Sequence, residues 1–160
     1  MMPIIYIILP FVFLIHDLEE IIFRRRWIDK YADEVCGKFP RMKPLIHNLA
    51  IISTFKFCVI VAEEFFLLLL TLFLFDKWSW LAYAAYWGFS IHLFMHIGQI
   101  IVLRMYVPGL ITSFLLLLYI VVGGLDLLQK FSLLENLFLA LGGFVVVALN
   151  LVLMHWLMRK

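Results

Sequence analysis

The sequence is poor in charge. Only 15% of its 160 residues are Asp, Glu, Lys or Arg, against roughly a quarter in soluble domains. That argues against a water-soluble globule. The formal net charge of +2, without any nucleic-acid motif, also argues against a nucleic-acid partner. Cysteine is scarce: Cys36 and Cys58 have no recognisable spacing, so no disulfide is expected. Internal repeats and broken helices of the transporter kind are absent. No basic stretch precedes the first apolar run and no small-residue cleavage site follows it, so a retained helix is expected there, not a cleaved signal peptide.

What is present is hydrophobicity, at 66% of residues and a mean hydropathy of +1.07. A spanning helix needs about 20 apolar residues. Five segments qualify: Pro3 to Phe23, Phe57 to Phe75, Trp78 to Leu103, Val107 to Leu128 and Leu133 to Leu157. The expected fold is all-α: one polytopic transmembrane bundle over residues 1–160, with about five spanning helices. The only long polar connection, about 24–44, holds Arg24, Arg25, Arg26, Lys30, Lys38, Arg41 and Lys43. The positive-inside rule makes that basic loop cytoplasmic, with the N-terminus out and the C-terminus in. Arg104, Arg159 and Lys160 then fall inside as well. Residues 45–56 read either as a cytoplasmic extension of the second helix or as an interfacial helix, since Lys56 is expected to snorkel to the headgroups.

Ionisable residues interrupt three of the apolar runs. His16, Asp17, Glu19 and Glu20 close the first, Glu63 and Glu64 lie in the second, and His92 and His96 in the third. Such groups inside spanning segments are costly and mark sites by default. At 1.5 Å per residue, the expected topology puts His16, Glu19, Glu20, Glu63, Glu64, His92 and His96 in one slab roughly 5 to 20 Å from the cytoplasmic boundary. His16, Glu19 and Glu20 share a helical face, as do His92 and His96, with Gln99 a turn further as a supporting polar group. Adjacent glutamates diverge by about 100°, so only one of Glu63 and Glu64, and more weakly one of Glu19 and Glu20, faces the rest. Asp17 points off the His16 face and reads as interfacial. His47 and His155 read as solvated, Asp126 and Glu135 as turn residues without a role, and Asn150 as an interhelical hydrogen-bonder.

Four carboxylates in low dielectric need compensation, and a bound cation supplies it. Three imidazoles with carboxylates suit iron, manganese or zinc. A dinuclear, iron-based oxidoreductase is one expectation, by the ligand types of ferritin-like bundles. A mononuclear zinc hydrolase on the same residues is the rival. In either, Glu20 and Glu64 are the candidate catalytic carboxylates, and the substrate is a lipid or other apolar molecule reached from the bilayer. A metal-ion or proton transporter uses similar residues, but the outer halves of helices 2 to 4 carry no polar path. A helix-gluing polar network, worth about 0.6 kcal/mol per contact, rarely needs this many charges. A homo-oligomer is compatible with everything above.

His16-Asp17-Leu18-Glu19-Glu20 matches the motif that names the HXXEE family of membrane proteins. The chain also resembles that family in Glu63-Glu64, in His92-Leu-Phe-Met-His96-Ile-Gly-Gln99, and in Arg104-Met-Tyr106-Val-Pro108-Gly109-Leu-Ile-Thr112. The resemblance covers roughly helices 1 to 4. It implies a small bacterial integral membrane protein, in the inner membrane, with a metal site and no named substrate. Arg104 and Tyr106 are assigned with Gln99 to the support of the ligands.

Overall fold

The computed structural model describes residues 2–159. Lys160, one of the basic residues assigned to the inner side, lies outside the described residues. Among these, every regular element is helical: α1 (Ile4–Ile7), α2 (Leu9–Lys38), α3 (Lys43–Ile51), α4 (Thr54–Phe73), α5 (Phe75–Leu103), α6 (Leu110–Leu115), α7 (Leu117–Lys130) and α8 (Leu133–Met158). A short 3-10 turn, Pro40–Met42, joins α2 to α3.

The basic connection expected over 24–44 is mostly helix. Nothing in residues 24–38 breaks the pattern, and exposed pairs one turn apart support it: Arg25 with Asp29 at 2.9 Å and Glu34 with Lys38 at 2.6 Å. Each such pair adds only about 0.3–0.5 kcal/mol. The helix stops at Phe39, at φ −130°, because the residue before Pro40 disfavours the helical region. Residues 45–56 are not an extension of α4 either. Ile52 is extended at ψ 116°, and Ser53 caps α4 by accepting the Lys56 N–H at 3.2 Å. The fourth expected segment starts later, at Leu110, and is jointed at Leu116 between α6 and α7. Trp78, at φ −137° and ψ 58°, kinks the start of α5.

Among the described residues two helices, α5 and α8, are long and apolar enough to cross a membrane. The other expected spans fall short for visible reasons. The 20 residues of α4 include Lys56, Glu63 and Glu64, the run over 107–128 is divided, and the apolar part of α2 starts only at Leu9 and carries Asp17, Glu19 and Glu20.

α5 and α8 form the tightest pair. A Cβ built on Gly143 would lie 1.9 Å from the Ala84 carbonyl oxygen, and one on Gly88 would lie 2.9 Å from the Gly143 backbone. Small residues therefore let the two backbones touch. At the far end Tyr6, fully buried, donates to Asp126 Oδ2 at 2.6 Å, and Lys130 Nζ lies 2.6 Å from the same oxygen. Asp126, expected to be idle, ties α1 to α7. Gly143→Ala is expected to lower thermal stability in detergent by about 1–3 kcal/mol, the usual cost of overpacking. Gly142→Ala, whose Cβ meets nothing within 4 Å, should leave the unfolding midpoint unchanged.

Candidate metal centre

α2 places His16 and Glu20 one turn apart, and α5 places His92 and His96 one turn apart. Where these helices face each other the four side chains converge. Glu20 Oε1 lies 2.8 Å from His96 Nε2 and 3.8 Å from both His16 Nε2 and His92 Nε2. His92 and His96 bring their Nε2 atoms to 3.1 Å. One ligand atom from each of the four fits within a span of 4.8 Å. Four ligands at zinc-like bond lengths of 2.0–2.1 Å would sit about 3.3–3.4 Å apart in a tetrahedron. The separations within the group bracket that value, so it could hold a single metal ion.

The turn between α5 and α6 covers the group. Arg104 ends α5 in the left-handed region, at φ 55°, and the chain reverses through Pro108 and Gly109. Gly109 has φ 87°, and a Cβ on it would meet His16 Cε1 and His96 Cε1, each at 2.9 Å. Glycine is thus required twice, by its backbone angle and by the two rings packed against it.

Glu19 serves that turn and does not join the four. Its Oε1 accepts from the Tyr106 hydroxyl at 2.7 Å and the Ile111 N–H at 3.2 Å. Its Oε2 accepts from the Thr112 N–H at 2.8 Å and the Thr112 hydroxyl at 2.7 Å. Releasing Glu19 to a metal would strip these donors, at roughly 1–3 kcal/mol for each left buried and unmatched. Of the two adjacent glutamates, Glu20 is the one that stands with the histidines.

Thr112 links Glu19 to the histidines. Its hydroxyl proton goes to Glu19 Oε2, or to the Gly109 carbonyl at 3.2 Å, and its oxygen lies 2.9 Å from His16 Nδ1. Toward His16 it therefore accepts, which assigns the imidazole proton to Nδ1 and the lone pair to Nε2. His16 Nε2 is buried and has no hydrogen-bond partner among the described residues, as is true of His96 Nδ1. A ring nitrogen fixed by its other nitrogen's hydrogen bond is the usual state of a metal-binding histidine.

The remaining expected residues scatter. Glu63 accepts from Asn150 Nδ2 at 2.9 Å, which joins α4 to α8 and keeps it out of the group. Glu64 lines a cavity beside the group, and its buried Oε1 has no partner. Gln99 lines the same cavity one turn beyond His96. Tyr106 acts on Glu19, and Arg104 is an exposed helix terminator. The cavity, of about 1200 Å³, is bounded by α2, α3, α4, α5 and α8, and its walls are mostly apolar.

Three residues do more than the sequence spacing assigns to them. Asp17, read as interfacial, is 5% exposed and lines the cavity. His155, read as solvated, is half-buried in the cavity wall with Nδ1 bonded to the Leu151 carbonyl at 2.8 Å. Thr112 has no spacing signal, because its partner His16 lies 96 positions away. For Asp17 a signal existed: it sits three residues before Glu20, on the flank of the same buried helix.

An all-helical protein with three histidines and a glutamate gathered beside an apolar cavity is the class that fold and site define. The chain belongs to the family described as proteins of unknown function with an HXXEE motif; the match covers residues 7–123. No curated protein and no solved structure matches it. The motif's letters are His16, Glu19 and Glu20, and the structure separates them: His16 and Glu20 enter the four-residue group, and Glu19 braces the turn that orients His16.

Gly109→Ala should therefore displace both rings and lower the unfolding temperature. Thr112→Ala should keep the fold and weaken Zn²⁺ binding about 10–100-fold, the usual loss when a ligand's supporting partner is removed. Thr112→Ser, which keeps the hydroxyl, should bind as the wild type does in the same titration.

Proposed function

We propose that the protein is a metal-dependent intramembrane hydrolase acting on a lipid or lipid-like ester or amide. One divalent ion is held by His16, Glu20, His92 and His96, and the substrate's apolar part occupies the adjoining cavity. The observation that carries this reading is the buried, unpartnered Nε2 of His16, aimed by Thr112 at Glu20 and the other two rings. A buried acceptor left unmatched costs roughly 1–3 kcal/mol, and an ion removes that cost.

The donor set of imidazoles and one carboxylate suits zinc, iron or manganese. Such an ion supplies Lewis acidity and lowers the pKa of a bound water. His92 and Glu20 are half-buried and line the cavity, so a water or a substrate carbonyl can reach the ion from that side. The cavity runs from Leu45 and Leu49 of α3 to Phe138 near the start of α8, long enough for an extended chain along the bundle. Hydrolysis is favoured over oxidation because buried carboxylates in that wall can accept a water's proton, and because Glu19 and Glu63, two of the four glutamates open to a di-iron centre, are engaged elsewhere.

The membrane placement belongs to the same reading. Large apolar side chains point outward along the helices, among them Phe73 at 85% exposure, Leu115 at 74% and Phe138 at 66%. Lipid is the natural partner for such a surface. In this arrangement α2, α4, α5, α6–α7 and α8 cross the bilayer of a bacterial inner membrane, with the basic half of α2 and α3 on the cytoplasmic side.

Metal analysis tests the proposal. Protein purified without chelator is expected to carry zinc, iron or manganese in stoichiometric amount. His16→Ala and His96→Ala should lose it, along with any hydrolysis of long-chain fluorogenic esters. Folded wild-type protein that stays metal-free and does not respond to added Zn²⁺, Fe²⁺ or Mn²⁺ would overturn the reading.

A further inference from the structure

We infer that the centre takes a second divalent cation, bound in the cavity wall by Asp17 and Glu64 and sharing Glu20 with the ion on the histidines. The inference rests on the metal reading above and extends it to a dinuclear site. Asp17 is 5% exposed, and its Oδ2 is buried without a hydrogen-bond partner among the described residues. Glu64 Oε1 is in the same condition, on a different helix. Asp17, Glu20 and Glu64 all line the one cavity, and the charges of Glu20 and Glu64 are those that act on Asp17.

Arg24 is not among the charges that act on Asp17 or Glu64. Arg24 acts on Glu20, but its guanidinium is turned to α3, where it donates to the Leu49 carbonyl at 2.9 Å and the Ile52 carbonyl at 3.0 Å. Three carboxylates in a low-dielectric wall cannot all stay charged without a compensating ion. Glu20 turns a single oxygen, Oε1, to all three imidazoles, which leaves its other oxygen for a neighbour. An oxygen-only set of this kind selects a hard divalent ion such as Mn²⁺ or Mg²⁺. Two ions about 3.5–4 Å apart would clamp both the attacking water and the leaving oxygen of a hydrolysis.

The test is Mn²⁺ binding to the full-length protein in detergent, followed by stoichiometry and by electron paramagnetic resonance. Wild type is expected to bind two Mn²⁺ per chain and to show an exchange-coupled spectrum. Asp17→Asn/Glu64→Gln should bind one, with the six-line spectrum of an isolated ion. Wild type that saturates at one ion, lost in His96→Ala, would overturn the second site and leave the first intact. Wild type that binds none, or binding indifferent to His92→Ala and His96→Ala, would overturn both. Two ions persisting in the double variant would also refute the assignment. Unfolding in chelator gives an independent readout. Removing two crowded charges should raise the double variant's midpoint above that of metal-free wild type, and a lower midpoint would mean that the acids are already satisfied within the fold.

Discussion

The grip of the Glu19 carboxylate on the turn before α6 is the contact on which the site depends. α5 ends at Arg104, and the chain must reverse over the imidazoles within a few residues. Glu19 fixes that reversal by accepting from Tyr106, Ile111 and Thr112 together. The Tyr106 carbonyl in turn accepts from Trp27 Nε1 at 2.6 Å, so the turn is held to α2 at two levels. Charged acceptors make hydrogen bonds worth about 1.5–3 kcal/mol each. With the turn fixed, Gly109 closes on the rings, Thr112 meets His16, and the lone pair of His16 has one direction left.

The α3 side of the cavity is held by a different device. Arg24 and Arg25 donate to carbonyls at the C-terminal end of α3, Arg25 to Ala50 at 3.0 Å. Cations at a helix C-terminus are favoured by its dipole, and Arg24 also sits 4.4 Å from the centre of the Phe57 ring. This arrangement requires α2 to stay helical past Phe23, since only then do both arginines project toward α3. The basic residues that look like a topology signal in the sequence therefore also anchor the helix that lines the cavity with Leu45, Ile46 and Leu49.

Much of the site was legible from spacing alone. His16 with Glu20, and His92 with His96, are one turn apart, and a helix makes such pairs face together whatever it packs against. Helix type was legible for the same reason, through long apolar runs. What spacing could not decide was direction. Glu19 and Glu20 are about 100° apart on α2, and which one meets α5 depends on how the helices pack, a long-range property. Asp17 was set aside by the same arithmetic: it leaves the His16 face, yet a fourth helix stands on that side and buries it. The continuation of α2 through 24–38 was missed because charge suggested a loop, although charged residues at helical pair spacing support a helix as readily.

Two adjacent glutamates after a histidine look redundant as ligands, and the geometry explains why both occur. A histidine ligand needs a metal-facing nitrogen and a partner for the other nitrogen. Glu20, one turn on, lies on the Nε2 side of His16. Glu19, three residues on, is rotated toward the turn and reaches the other nitrogen through Thr112. One helical segment thereby supplies two members of the group and the anchor of the first one's support. Neither glutamate can replace the other, because the roles are set by angle around α2 and not by chemistry. The spacing of the motif is thus a statement about one helix lying between two partners, α5 with its histidines and the turn before α6.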